Sequence, residues 1–407
     1  MNRYQRITHS MLEGAKTRKE QQLQALGLEK LSKEQAIGIA RSFGGQVRAK
    51  LEGHPSSLAV IPTLLQPVDK ARLHAGDQSL VVEVGGTHFR SSIVTVDSEK
   101  NPQLTTETLA PERKKKYDST DEFFDELARS VKDVIGEANP KALGIIWSFP
   151  ADIVSVSSGI DAVSTDKLTK ELDVPGINTR KVGDFIIDGL RRNGISIPID
   201  LPRAVVNDTA AVLLANGAAL GGIVATGFNL AFLHEGQMYN LEAGGFDVVP
   251  QTALTQIIDK VSEHPGHYPL EKQVSGDYVG QAFSLVLKEL GVSDKNLTSA
   301  DMSAVLAGEL FNDNPTAKEV ATILRDRSAQ LVGAAIAGTI QEFPEDFPVG
   351  EIVIPIDGSF FGKTPGYKEA LEFYATDLLD GKKKIVTKYV QESGMKGAGI
   401  AALGLVR

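Results

Sequence analysis

The chain's 407 residues, 42% hydrophobic and 23% charged, suit one large two-lobed unit or two globular domains with a sizeable buried core. A formal net charge of −9 argues against a general nucleic-acid binder, which needs a basic face. The absence of cysteine excludes disulfides and thiolate metal sites, and no apolar run reaches the roughly 18 residues of a membrane span, so a soluble cytoplasmic protein is expected.

In chain order, residues 1–30 are polar and charge-rich. Ser32 is placed to cap a helix running to residue 51, where apolar residues recur at helical spacing. Residues 56–68, with two prolines, read as an extended connector. Residues 79–96 form two β-rich runs around Gly85-Gly86, the pattern of a hairpin. A helix near 119–136 and a strand at 142–147 follow. A strand at 203–206 runs through Asn207-Asp208-Thr209 into an alanine-rich helix, and a second hairpin-like region spans 223–247. Long helices are predicted near 275–290 and 316–341, and a strand at 351–356 ends at Asp357-Gly358-Ser359. A short apolar helix closes the chain after Gly394. Two hairpin starts, each followed by alternating strands and helices, point to a duplicated α/β architecture without a repeat in the sequence itself.

Four groups of residues could carry chemistry. Around Gly85-Gly86 the missing Cβ atoms allow backbone amides close to a phosphate, with Thr87 and Arg90 as donors. Glu83, two residues earlier, is placed to hold a water of a Mg²⁺–nucleotide complex. Taken alone, the glycines are better explained by an ordinary hairpin turn, and no Gly-Lys-Ser/Thr follows. In Asn207-Asp208-Thr209, Asp208 is either the helix cap or a general base for a hydroxyl group. Thr226-Gly227 can touch phosphate, and Asn229 with Glu242 offers the paired hydrogen bonds that vicinal hydroxyls require; a plain second hairpin is the alternative. Asp357-Gly358-Ser359 and Gly397-Ala398 permit close approach of an adenosine, or are simply turn residues.

Taken together and in this order, the segments VVEVGGTHFR, WSFP, VVNDTAAVL, TGFN, YNLEAGGF, PLEKQVSGDYVG, DGSFFGKTPGYKE and ESGMKGAGIAAL resemble the eukaryotic-type hexokinase family, from about residue 30 onward. The resemblance implies a two-lobed actin-like, ribonuclease-H-like α/β fold, each lobe a mixed sheet flanked by helices, with a cleft between them. It implies a small lobe at 79–204 plus the last helix (about 397–407), a large lobe at 205–392, and residues 1–78 bracing the large lobe. It further implies ATP, Mg²⁺ and a hexose as reaction partners, in a cytoplasmic glycolytic kinase. Asp208 becomes the catalytic base. Ser148, Phe149, Pro150, Thr165, Lys167, Asn207, Asn229, Glu242 and Glu271 fall at sugar positions. Gly85, Gly86, Thr87, His88, Arg90, Thr226 and Gly227 fall along the phosphate path, Asp357, Gly358, Ser359, Gly397 and Ala398 near adenosine, and Glu83 in the outer shell of the metal.

The chain departs from the family pattern at several positions. Glu83 stands for the usual Asp and His88 for Asn. Lys167 lies one residue later than the family lysine, Ala225 replaces the first glycine of the Gly-Thr-Gly turn, and Ala243 replaces a Trp. A kinase for another sugar (mannose, fructose or an amino-sugar) and a sugar-binding sensor with weakened chemistry remain alternatives. Homo-oligomer formation is open.

Overall fold

The computed structural model describes residues 21–85, 88–110, 112, 114–149, 151–165, 168, 172–379, 381 and 383–406. The strands in chain order are β1 (Ile61–Pro62), β2 (Gln78–Val84), β3 (Phe89–Val96), β4 (Pro102–Leu109), β5 (Ala142–Trp147), β6 (Ala151–Val156), β7 (Gly159–Ser164), β8 (Arg203–Val206), β9 (Leu220–Val224), β10 (Phe228–His234), β11 (Gln237–Asn240), β12 (Gly350–Asp357) and β13 (Lys383–Tyr389).

They form a seven-stranded sheet of order β4-β3-β2-β5-β8-β7-β6 and a six-stranded sheet of order β1-β11-β10-β9-β12-β13. The run β4-β3-β2-β5-β8 in the first sheet corresponds to β11-β10-β9-β12-β13 in the second, which is the expected duplication. In both, two parallel strands continue the sheet from the first strand of the set: β2–β5–β8 and β9–β12–β13.

The chain divides into two compact units, residues 61–221, 231–240 and 390–407, and residues 1–60, 222–230 and 241–389. These boundaries differ from the expected 78/79 and 204/205. The reason is packing: the helix Asp208–Asn216 lies against the C-terminal helix Ser393–Leu403 so closely that a Cβ on Gly397 would overlap the Ala211 carbonyl oxygen. The Asp208 helix therefore belongs with the seven-stranded sheet.

In that first unit, β5 is buried along its whole length, as its continuous apolar run requires of a central strand covered on both faces. One face packs against the helices Thr120–Ile135 and Val182–Arg192 through Phe123, Phe124, Phe185 and Ile186. Phe124 and Phe185 stack at 5.1 Å. The other face meets small residues, Ala210, Ala211, Ala398 and Ala402, on the two C-terminal-side helices. On this face a Cβ at Gly144 of β5 would run into the Ala398 backbone.

In the second unit, Ser32 caps the helix Lys33–Leu51 with a capping box completed by Gln35. That helix packs on the long helix Pro315–Glu342, where Gly44 and Gly338 let the two backbones approach. Phe43 meets Phe246 edge-on at 5.1 Å.

Candidate active site

The first unit places Asp208 as the first residue of its helix. The cap is Asn207, whose Oδ1 accepts from Thr209 N at 2.9 Å and Ala210 N at 3.4 Å. The cap alternative for Asp208 is thereby removed, and the same bonds commit the Asn207 carbonyl oxygen to the helix. Asp208 itself accepts from Thr209 N at 2.7 Å and Thr209 Oγ1 at 3.1 Å. These bonds fix its rotamer.

The hairpin β2–β3 pairs Val84 with Phe89, and Gly85 N donates to His88 O at 3.1 Å. Gly86 and Thr87 lie outside the described residues, as do Pro150 and Lys167. Arg90, expected on the phosphate path, is instead the hub of a carboxylate network. Nη1 meets Glu83 Oε2 at 3.2 Å, Nε meets Glu107 Oε1 at 3.2 Å, and Nη2 bonds both Glu107 and Glu392. Three carboxylates in this partly buried place push the guanidinium further above its usual range. Burial raises the Glu83 carboxyl above the usual carboxylate range; Arg90 opposes the shift, and the charges of Asp208 and Glu392 add to it.

Glu83 and Asp208 are hard oxygen donors whose mutual repulsion a cation would relieve, so they fit a magnesium ion. Among the described residues Glu83 bonds only Arg90, through one oxygen, which leaves the other for a metal-bound water.

Beyond β5, Ser148 is exposed and its N–H donates to Val84 O at 3.2 Å. Phe149, expected at the sugar, turns into the core against Trp147 with the rings 5.3 Å apart. Its size and apolarity are used in packing. Thr165 stands one residue past the end of β7. Gly397 and Ala398, expected near adenosine, are buried in helix packing, so their smallness answers to Ala211 and Gly144.

The second unit gathers a different set. The turn Ala225–Gly227 joins β9 to β10, with Ala225 N donating to Gly227 O at 2.9 Å and Thr226 exposed at its tip. The helix Gly276–Glu289 starts beneath it: Gly276 N donates to Ala225 O at 2.7 Å. β12 runs parallel to β9 and pairs Asp357 with Ile223, which brings Asp357-Gly358-Ser359 beside this turn. Gly358 has φ +117°, and a Cβ there would strike the Val224 carbonyl, so glycine is required on both counts. Ser359 lines a cavity of about 370 Å³ together with Ser299, Ser303, Phe360 and Lys363. Ser299, Ser303 and Lys363 were not foreseen from the sequence; no motif marks them.

Next to the turn, Asn229 Oδ1 accepts from Ala243 N at 3.0 Å, and Nδ2 reaches Glu242 Oε1 at 3.5 Å. Glu242 holds a left-handed conformation, φ +51°, an uncommon backbone for this residue type. Glu271 Oε2 accepts from Phe228 N at 3.3 Å. Burial raises the Glu271 carboxyl, the Phe228 amide works against that, and the Glu242 charge adds to it. Gly244 was also missed; a side chain there would crowd Glu271, and the Gly-Gly pair in YNLEAGGF was the available signal. Asn229, Glu242 and Glu271 therefore form a compact set of acceptors with a donor amide, suited to a polyhydroxylated molecule.

Two family models, both described as hexokinase, match residues 24–218 and, for the second, 219–307 and 294–404. Hexokinase-2 of Candida albicans is 25% identical over 397 residues, covering 80% of this chain and 80% of that protein. Hexokinase-1 of Saccharomyces cerevisiae is 25% identical over 396 residues, covering 80% and 79%. Among solved structures, a hexokinase superposes with TM-score 0.77 at 20% identity, covering 95% of this chain and 99% of that one. The Schistosoma mansoni hexokinase complexed with glucose gives 0.71 at 20% identity, covering 96% and 99%. The fold is thus the two-lobed, actin-like α/β fold of these proteins, and the chain belongs to the hexokinase family.

Proposed function

We propose that this chain is an ATP-dependent hexose kinase that phosphorylates the 6-hydroxyl of glucose or a similar hexose. The observation that carries this reading is the set Asn229, Glu242 and Glu271, acceptors crowded around one turn and matched to sugar hydroxyls. Asp208 supports it from the other unit, as a carboxylate at a helix start that is not used as the cap.

The reaction follows from these roles. Hydrogen bonds from the hexose hydroxyls to Glu242, Glu271 and Asn229 orient the sugar. The 6-oxygen attacks the γ-phosphorus of ATP and the bond from that phosphorus to the bridging oxygen breaks, the electron pair leaving with ADP. The hydroxyl proton passes to the Asp208 carboxylate. Backbone amides at the Ala225–Gly227 turn hold phosphates, and the cavity at Ser359 and Lys363 takes the nucleoside end. Magnesium, when bound through a water on Glu83, neutralises charge on the ATP phosphates.

The test is ADP release from Mg²⁺-ATP across a panel of hexoses, with Asp208→Asn as control. Release that needs one hexose and is lost in the variant supports the kinase. Hexose binding seen by calorimetry with no ADP release from the unaltered protein would replace it with a sugar sensor.

A further inference from the structure

The short helix Glu271–Val274 that carries Glu271 is held from beneath by buried polar side chains of its own unit. Lys272 Nζ bonds Asp259 Oδ1 at 2.5 Å and His264 O at 2.7 Å. Ser328 Oγ donates to Val274 O at 2.8 Å. Gln273 Oε1 accepts from Arg327 Nη2 at 3.3 Å. The other arm of the same guanidinium, Nη1, donates to the backbone carbonyl of Glu29 at 3.0 Å.

Arg327 is 8% exposed and forms no ion pair with a carboxylate among the described residues. Its neighbour Asp326 is taken by Lys30 at 2.7 Å and Arg325 at 2.6 Å. A buried arginine satisfied only by neutral acceptors is costly to keep, and its fork is used here to join two separate pieces of chain. Residue 31 is clamped by the same long helix: Leu31 N donates to Gln330 Oε1 at 3.0 Å, and Gln330 Nε2 donates to Leu31 O at 3.2 Å.

We infer that Arg327 is a positioning residue for Glu271, and that through it the docked stretch 29–31 contributes to hexose affinity. This rests on Glu271 being a hexose acceptor. The argument is mechanical. Glu271 must stay turned toward the Phe228 amide against its own burial and the charge of Glu242. A four-residue helix has no stability of its own and keeps its place through such tethers and through the burial of Leu270 and Val274. Loosening the Gln273 tether loosens the carboxylate, and the Gln273 tether is itself aligned by the Glu29 carbonyl on the far side of the guanidinium.

The experiment measures hexose Kd by calorimetry and steady-state constants for Arg327→Met, Gln273→Met, Gln330→Met and Glu271→Gln in the full chain. Arg327→Met is expected to raise the hexose Kd and KM about tenfold, while kcat and the ATP KM stay within about twofold. Gln273→Met, which removes one arm only, stands in should Arg327→Met not fold. Gln330→Met unhooks residue 31 without touching Arg327 or Glu271 and is expected to raise the hexose Kd about threefold.

Glu271→Gln separates the two levels of the argument. If it weakens hexose binding while both the Arg327 and Gln273 variants keep normal hexose affinity, the positioning role is overturned and the sugar site stands. If Glu271→Gln itself binds hexose normally, the sugar site fails and the inference with it. A loss spread equally over hexose and ATP constants, or confined to Tm, reduces Arg327 to a structural residue.

Discussion

Each unit holds a group of carboxylates under the same pressure, and each handles it differently. In the first, burial raises Glu83 and the charges of Asp208 and Glu392 raise it further, but Arg90 sits among Glu83, Glu107 and Glu392 and offsets much of the repulsion. In the second, burial and the Glu242 charge raise Glu271, and the ammonium next in sequence, Lys272, is turned away to Asp259. Among the described residues no cation hydrogen-bonds Glu271, and the backbone amide of Phe228 donates to it. In the first group Arg90 pairs with three carboxylates, yet burial still leaves the Glu83 carboxyl raised. In the second, the Phe228 amide donates to Glu271, and the hydroxyls of a ligand would add to it. The difference is between a carboxylate group braced by a guanidinium and a carboxylate met by a backbone amide.

The largest expected effect is at Asp208. Asp208→Asn keeps the size and leaves the Asn207 cap untouched, so the fold should persist, while loss of the general base lowers kcat by about 10²–10⁴-fold. Hexose Kd should hardly move. Near-normal turnover in a coupled ADP assay would remove Asp208 from the chemistry and leave it a mere neighbour of Glu83.

Next comes the group in the second unit. Glu242→Ala should raise the hexose Kd by about tenfold or more, because a hydrogen bond to a charged group contributes about 1.5–3 kcal/mol. Calorimetry reads this directly, and an unchanged Kd would break the contrast between the two groups. In the group braced by Arg90 the effect should fall on stability instead. Arg90→Met leaves three carboxylates facing one another and should cost about 1–3 kcal/mol in urea unfolding, discounted for the partial exposure of the site. If Arg90→Met left stability unchanged and raised only the ATP KM, Arg90 would be a phosphate ligand after all.

Much of the fold was legible because its signals are local. The apolar run of β5, the Ser32 capping box and the glycine pair of the β2–β3 hairpin each fix their element by short-range physics. The duplication showed as two hairpin starts and became visible as the common strand order of the two sheets. The site was less legible where one residue type serves two purposes. Gly358 and Gly397 look alike in sequence. Gly358 sits at positive φ beside the Ala225–Gly227 turn, with Ser359 on a cavity, whereas Gly397 answers only to the Ala211 backbone in helix packing. Arg90 and Phe149 show the same ambiguity, since an arginine near a glycine turn and an aromatic ring near a sugar motif can equally serve a carboxylate cluster and a core. The unit boundaries were missed because they depend on which helix the Asp208 helix packs against, a long-range fact with no local mark.

The smallest effect gives the sharpest test of the contrast, because it has the opposite sign to the loss of binding. The Glu271 carboxyl is raised in the folded protein by burial and by Glu242. A carboxyl whose folded pKa lies above its unfolded value contributes stability below the unfolded pKa, near pH 4.3, and loses it as pH rises through the folded pKa. At neutral pH the sugar-free protein therefore carries an unfavourable charge at this position. Glu271→Gln should raise the Tm of the sugar-free protein by a few degrees at pH 7, and the gain should shrink toward zero as pH falls below about 4, where the native Glu271 is protonated in both states. The same substitution should abolish most of the extra Tm that saturating hexose confers on the unaltered protein. A protein that lost stability on Glu271→Gln at pH 7 would hold this carboxylate by favourable contacts, and the contrast with the Arg90-paired group would disappear.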